Sequence, residues 1–66
     1  MKIIINGIEK NIANTPDLSD IISQFCKQSK AVIAEVNGEI IKNPYWSQKR
    51  IQEGDTIELI SFVGGG

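Results

Sequence analysis

An α+β domain, one helix packed across a face of a mixed sheet of four to five strands, is predicted by three features of this 66-residue chain. Two Asn-Gly pairs, Asn6-Gly7 and Asn37-Gly38, each lie between short apolar, β-branched runs. Such pairs supply the positive φ angles of a type I′ turn and so mark β-hairpins. Between them lies one segment with apolar residues at helical spacing, and after them a final run that alternates with the period of a strand. The stripe of the helix has to be buried, and a sheet is the available partner.

Element by element, Ile3-Ile4-Ile5 turns at Asn6-Gly7 into Ile8 to Ile12 as the first hairpin. Thr15-Pro16-Asp17 then opens the helix, with Thr15 as the cap, Pro16 in the first helical position and Asp17 facing the positive end of the helix dipole. Leu18 stands three residues beyond Thr15, so this placement gives no capping box. Leu18, Ile21, Ile22 and Phe25 form the apolar stripe. Ala31 to Val36 and Glu39 to Lys42 form the second hairpin about Asn37-Gly38. Pro44-Tyr45-Trp46 interrupts the strand pattern, and the stretch to Arg50 reads as a turn or short helical connector that packs its aromatics on the sheet. Glu53-Gly54-Asp55 launches the last strand, Thr56 to Phe62. Alternation there sends Ile57, Leu59 and Ser61 to one face and Glu58, Ile60 and Phe62 to the other. A central position would protect this strand, but no second helix is predicted to cover Ile60 and Phe62.

The length predicts a single small domain, residues 1–66, with little room for an internal pocket. Hydrophobic residues at 41% and charged residues at 23% argue for folding and against disorder or a membrane span. The start, Met1 to Asn6, turns polar too soon for a signal peptide, and the lone Cys26 has no internal disulfide partner, so a reducing, cytoplasmic setting is expected. A net charge of −1 with scattered lysines leaves no footprint for nucleic acid or an anionic membrane.

Most catalytic chemistry is missing from this inventory. There is no histidine, so histidine acid–base catalysis and His-ligated zinc are excluded, and one cysteine does not build a thiolate metal site. Asp17 and Asp20 lie a turn apart but suit the helix dipole better than paired-carboxylate catalysis. The internal glycines match turns and no phosphate-binding loop. Cys26 reads as a partly buried packing residue at the edge of the stripe, and Tyr45 and Trp46 as packing aromatics. What remains is the ending Gly64-Gly65-Gly66, expected to be a flexible tail able to thread a narrow channel and present its carboxylate to another protein. A carboxylate reacts as an electrophile only after an oxygen becomes a leaving group. Nothing in the chain does that, so a partner enzyme would have to align the tail.

The run Val36-Asn37-Gly38-Glu39-Ile40-Ile41, the aromatic at Trp46, the turn Glu53-Gly54-Asp55 and the ending Ile57 to Gly66 resemble, in that order and over essentially the whole chain, the sulfur carriers of thiamine biosynthesis. These are ubiquitin-like β-grasp proteins. Pro44 stands one place later than in many such carriers, a departure in the loop and not in the tail. The resemblance implies a protein cosubstrate and not an enzyme. An E1-like adenylyltransferase would use ATP to adenylate Gly66, and a sulfur donor, a cysteine desulfurase or persulfide carrier, would convert it to a thiocarboxylate. Thiazole synthase would take that sulfur into the thiazole ring. The carrier itself would bind no cofactor. Gly64 and Gly65 would be the thread, and Ile60, Phe62 and Val63 the docking patch beside it, unless the loop from Asn43 to Arg50 folds over Ile60 and Phe62. Two alternatives share the fold: a carrier like the small subunit of molybdopterin synthase, which is usually somewhat longer, and a ubiquitin-like modifier or passive interaction module.

Overall fold

In the computed structural model, residues 1–26 and 32–61 are described. They form β1 (Lys2–Ile5), β2 (Ile8–Asn11), α1 (Leu18–Phe25), β3 (Val32–Val36), β4 (Glu39–Ile41), a 3-10 helix (Asn43–Gln48) and β5 (Thr56–Ser61). The strands make one mixed sheet in the order β2-β1-β5-β3-β4. Strand β5 is central, parallel to β1 and antiparallel to β3. With α1 across one face, this is the α+β arrangement that the two hairpins, the stripe and the last strand predict.

Both hairpin turns have the backbone that their sequences demand. Asn6 and Gly7 have φ of 50° and 80°, and Asn37 and Gly38 have φ of 53° and 86°. Asparagine tolerates this left-handed region better than most residues, and glycine enters it without strain. The flanking strands are slightly shorter than expected: β2 ends at Asn11, although Ile12 N–H still bonds Met1 C=O at 2.7 Å, and β4 ends at Ile41. Ala31 and Phe62, expected strand residues, lie outside the described residues.

The helix start differs from expectation. Asp17, not Thr15, is the N-cap, and Pro16 precedes it. Asp20 N–H donates to Asp17 Oδ1 at 2.9 Å while Asp17 N–H donates to Asp20 Oδ2 at 3.1 Å, so a capping box is present after all. The reason is tertiary. Leu18 N–H bonds Lys49 C=O at 2.8 Å and Ile51 N–H bonds Pro16 C=O at 3.0 Å, which holds Pro16 and Asp17 extended beside Lys49–Ile51 and delays the first helical turn.

Leu18, Ile21 and Ile22 point into a core with Ile3, Ile5, Ala34, Val36, Ile57 and Leu59 from the sheet, closed by Ile51 and Trp46. Phe25 and Cys26 pack at its edge, as the stripe predicts. Only one aromatic of the connector is a core residue. Trp46 is buried and its indole N–H finds Ile41 C=O at 2.8 Å, whereas Tyr45 is exposed, contrary to the packing expected of both. Consecutive residues of a 3-10 turn are about 120° apart, so the turn that buries Trp46 beside α1 directs Tyr45 away.

Candidate functional site

The site is organised by β5. Its inward residues, Ile57 and Leu59, are core, while Thr56, Glu58 and Ile60 face the side of the sheet opposite α1. Register decides what joins Ile60 there. Ile33 lies directly across from it on β3, Glu35 lies across from Glu58, and Ile40 on β4 lies across from Glu35. Ile33 and Ile60, 37% and 47% exposed, are thus a direct apolar pair, and Ile40, 61% exposed, extends the patch diagonally from Ile33 beside the paired carboxylates of Glu35 and Glu58. Like charges directly opposite in a sheet disfavour folding. Towards β1 and β2 the same face carries a half-buried Ile4 and, at its rim, a 3.7 Å ion pair between Lys2 and Glu9. The connector does not fold over Ile60: the 3-10 helix packs against α1 and sends Trp46 to the core.

The edges of β5 are fixed by the two turn asparagines. At its start, Thr56 N–H donates to Asn37 Oδ1 at 2.9 Å, and Asn37 Nδ2 donates to Asp55 Oδ1 at 3.0 Å. On the other edge β1 pairs with β5 only at Ile4↔Thr56 and Ile5↔Ile57 before it turns away. Past that point Asn6 takes over. Its N–H donates to Ile57 C=O at 2.9 Å, its Oδ1 accepts from Leu59 N–H at 2.8 Å, and its Nδ2 donates to Leu59 C=O at 3.2 Å.

Of the residues expected to act, Ile60 is on this face; Phe62, Val63, Gly64, Gly65 and Gly66 lie outside the described residues. Sequence reasoning found Ile60 through strand alternation. It missed Ile33 and Ile40, which also alternate outward, because their proximity depends on register between strands. Among the described residues there is no buried polar or charged residue, no buried polar side-chain atom without a partner and no cluster of His, Cys, Asp or Glu able to hold a metal. None of the described helices is long and apolar enough to cross a membrane. One carboxyl has a shifted pKa: Asp17 is held below its ordinary value, first by the Ser19 hydroxyl that donates to it at 2.6 Å and then by Asp20 N–H. That is cap electrostatics at the helix start and not acid–base chemistry. What the described surface offers is contact, an apolar patch with two carboxylates across β4, β3 and β5, the last of which is followed in sequence by residues 62–66.

Comparison with known proteins bears on what that contact is for. A model of the ThiS family matches residues 3–66. The chain is 32% identical over 66 residues to the thiazole synthase of Paramagnetospirillum magneticum; the match takes in all of this chain but only 20% of that protein's length. It is 34% identical over 53 residues to the sulfur carrier protein ThiS of Bacillus subtilis, covering 80% of each chain. The crystal structure of the thiamine biosynthesis protein ThiS from Geobacter metallireducens superimposes with a TM-score of 0.85 at 26% identity, covering all of both chains.

Proposed function

The chain belongs to the ThiS family of sulfur carriers, and from that premise we propose that it carries sulfur on Gly66 as a thiocarboxylate for formation of the thiamine thiazole. The observation that carries this reading is the family match, which spans residues 3–66 and so extends over the glycine tail. The apolar face around Ile60 on β5, the strand that precedes the tail in sequence, supports it as well.

The chemistry then belongs to partners. A Gly66 carboxylate oxygen attacks the α-phosphorus of ATP in an E1-like adenylyltransferase, and pyrophosphate leaves. A persulfide from a cysteine desulfurase or persulfide carrier attacks the activated carbonyl, and AMP leaves. Cleavage of the resulting acyl disulfide by a thiol gives the thiocarboxylate. Thiazole synthase consumes it, a choice supported by the thiazole synthase that contains a stretch like this chain in one fifth of its length. Ile60, with Phe62 and Val63, docks these enzymes, and Ile33 and Ile40 extend the patch. Binding at this remote face holds the carrier on the enzyme, so that its tail reacts as a tethered group and not as a free one.

The test is intact-protein mass spectrometry after incubation with an E1-like adenylyltransferase, ATP and a persulfide donor. The expected product is heavier by the difference between sulfur and oxygen, and deletion of Gly66 abolishes the change while leaving the fold intact. An unchanged wild-type mass, with a ThiS carrier converted in a parallel reaction, overturns the reading.

A further inference from the structure

We propose that Asn6 is a positioning residue for the reaction at Gly66: its side-chain amide clamps β5 at Leu59 and so holds firm the end of the strand that precedes residue 62. This rests on the reading of Gly66 given above, and adds to it a residue distant from the tail in sequence.

The argument begins with what β5 lacks. Its start lies between two strands, but β1 pairs only as far as Ile57, while β3 continues alongside to Ser61. From Glu58 onward one edge of the central strand has lost its backbone neighbour. A strand held on one edge is free to twist and to fray from its end, which here is the end that carries the tail. The Asn6 amide occupies this gap. A carboxamide has the donor and acceptor of a peptide group, and the Asn6 amide uses both on one residue, accepting from Leu59 N–H at 2.8 Å and donating to Leu59 C=O at 3.2 Å. It acts as one further peptide unit of β1, two residues before the end of β5.

The turn makes this possible. Asn6 has φ of 50°, a conformation that glycine adopts more easily, and an asparagine side chain there can bond locally. Instead it reaches across to a residue 53 positions away. The second turn provides an internal comparison. Asn37 has the same sign of φ and also bonds the β5 backbone, but at Thr56, the opposite end from the tail. Two similar asparagines thus hold the two ends of one strand, and only one of them lies at the exit.

Loosening the end of β5 should leave the docking face in place, since Ile60 stays paired with Ile33 on β3, and weaken the support from which the reacting end is presented. The carrier would then bind its adenylating enzyme as before and react less often once bound. Misplacement of a reacting group by about 1 Å can cost about a hundredfold in rate.

Asn6→Gly removes the amide while suiting the turn backbone, and Asn37→Gly does the same at the other end. For each, thermal stability, amide hydrogen exchange at Leu59 and the kcat and KM of adenylation by the E1-like enzyme are measured. In Asn6→Gly, Leu59 N–H is expected to exchange about tenfold faster, and kcat to fall about tenfold to a hundredfold with KM within about twofold. Asn37→Gly is expected to lose comparable stability and keep its kcat. Unchanged exchange at Leu59, an unchanged kcat in Asn6→Gly, an effect confined to KM, or an equal fall of kcat in Asn37→Gly each overturns the inference. A wild-type chain that is not adenylated overturns the reading of Gly66, an outcome separate from all of these.

Discussion

Replacing Ile60 by threonine tests whether the open face docks a partner, because it removes apolar surface while keeping a β-branched residue in the strand. Ile60 is 47% exposed, so about half of its side chain is already buried in the folded domain. Complete burial of an isoleucine contributes about 1.5–3 kcal/mol, and a partner that covers the exposed half gains about 0.7–1.5 kcal/mol. At about 1.4 kcal/mol per factor of ten, KM for the adenylating enzyme should rise about three- to twelvefold. Extending the change to Ile33 and Ile40, which are 37% and 61% exposed, removes about one and a half side chains' worth of coverable surface. The expected loss is then about 2–4 kcal/mol, a KM higher by about 30- to 1000-fold. Stability should fall by about 1 kcal/mol or less per site, as for partly exposed positions.

The assay is ATP–pyrophosphate exchange at varied carrier concentration, with circular dichroism and a thermal melt of each variant. Saturating carrier should restore most of kcat, since the substitutions remove binding and not the geometry of the tail. A triple variant that is folded and still reacts with a KM within about twofold of the parent refutes the assignment of this face. A fall in kcat at saturation with unchanged KM refutes it too, because it would mean that these residues act on the tail's geometry.

Two predictions concern the scaffold. The Asp17 carboxylate is stabilised in the fold by Ser19 and Asp20 N–H, so its pKa lies below the ordinary 3.8; its contribution to stability is complete above that value and is lost as pH falls through the lower, folded value. The advantage of the parent over Asp17→Asn in urea melts should therefore shrink on acidification below pH 3.8, and an advantage that persists or grows there contradicts the assigned cap. Leu59→Val deletes one methylene from a core position and should cost about 1 kcal/mol, or about 4–8 °C in Tm. Asn6 binds the Leu59 backbone and not its side chain, so this variant, assayed well below its Tm, should keep the parental kcat.

The parts of this fold that were legible in the sequence are those decided by neighbours in the chain. Asn6-Gly7 and Asn37-Gly38 take their φ angles from their own chemistry, and the stripe from Leu18 to Ile22 needs no partner to be recognised as a stripe. Alternation placed Ile57 and Leu59 inward and Ile60 outward. Misreadings occurred where distant contacts decide. Thr15 was a reasonable cap until Lys49 and Ile51 held the chain extended as far as Asp17. Tyr45 and Trp46 are adjacent aromatics, and only the placement of the 3-10 helix against α1 decides which of them is buried. Ile33 and Ile40 become part of the Ile60 patch through the register of β3 with its two neighbours. The Asn6 amide had a second, sufficient explanation in its turn, so nothing in the sequence pointed to Leu59.

The proposed function places two demands on one short chain: recognition by successive enzymes, and delivery of its end in a reacting geometry. On that reading β5 meets both through different parts of its structure. Side chains on its open face present Ile60 with Ile33 and Ile40, while the backbone at Leu59 is fixed by Asn6. Its inward side chains tie both to the core. Because the patch presents side chains to a partner and the clamp holds the main chain of Leu59 through a side-chain amide, substitutions at Ile60 and Asn6 should separate as changes in KM and kcat, even though Leu59 and Ile60 are adjacent. On the proposed reading, the body of the domain governs a reaction in another protein's active site by how firmly its central strand is held as far as Ser61.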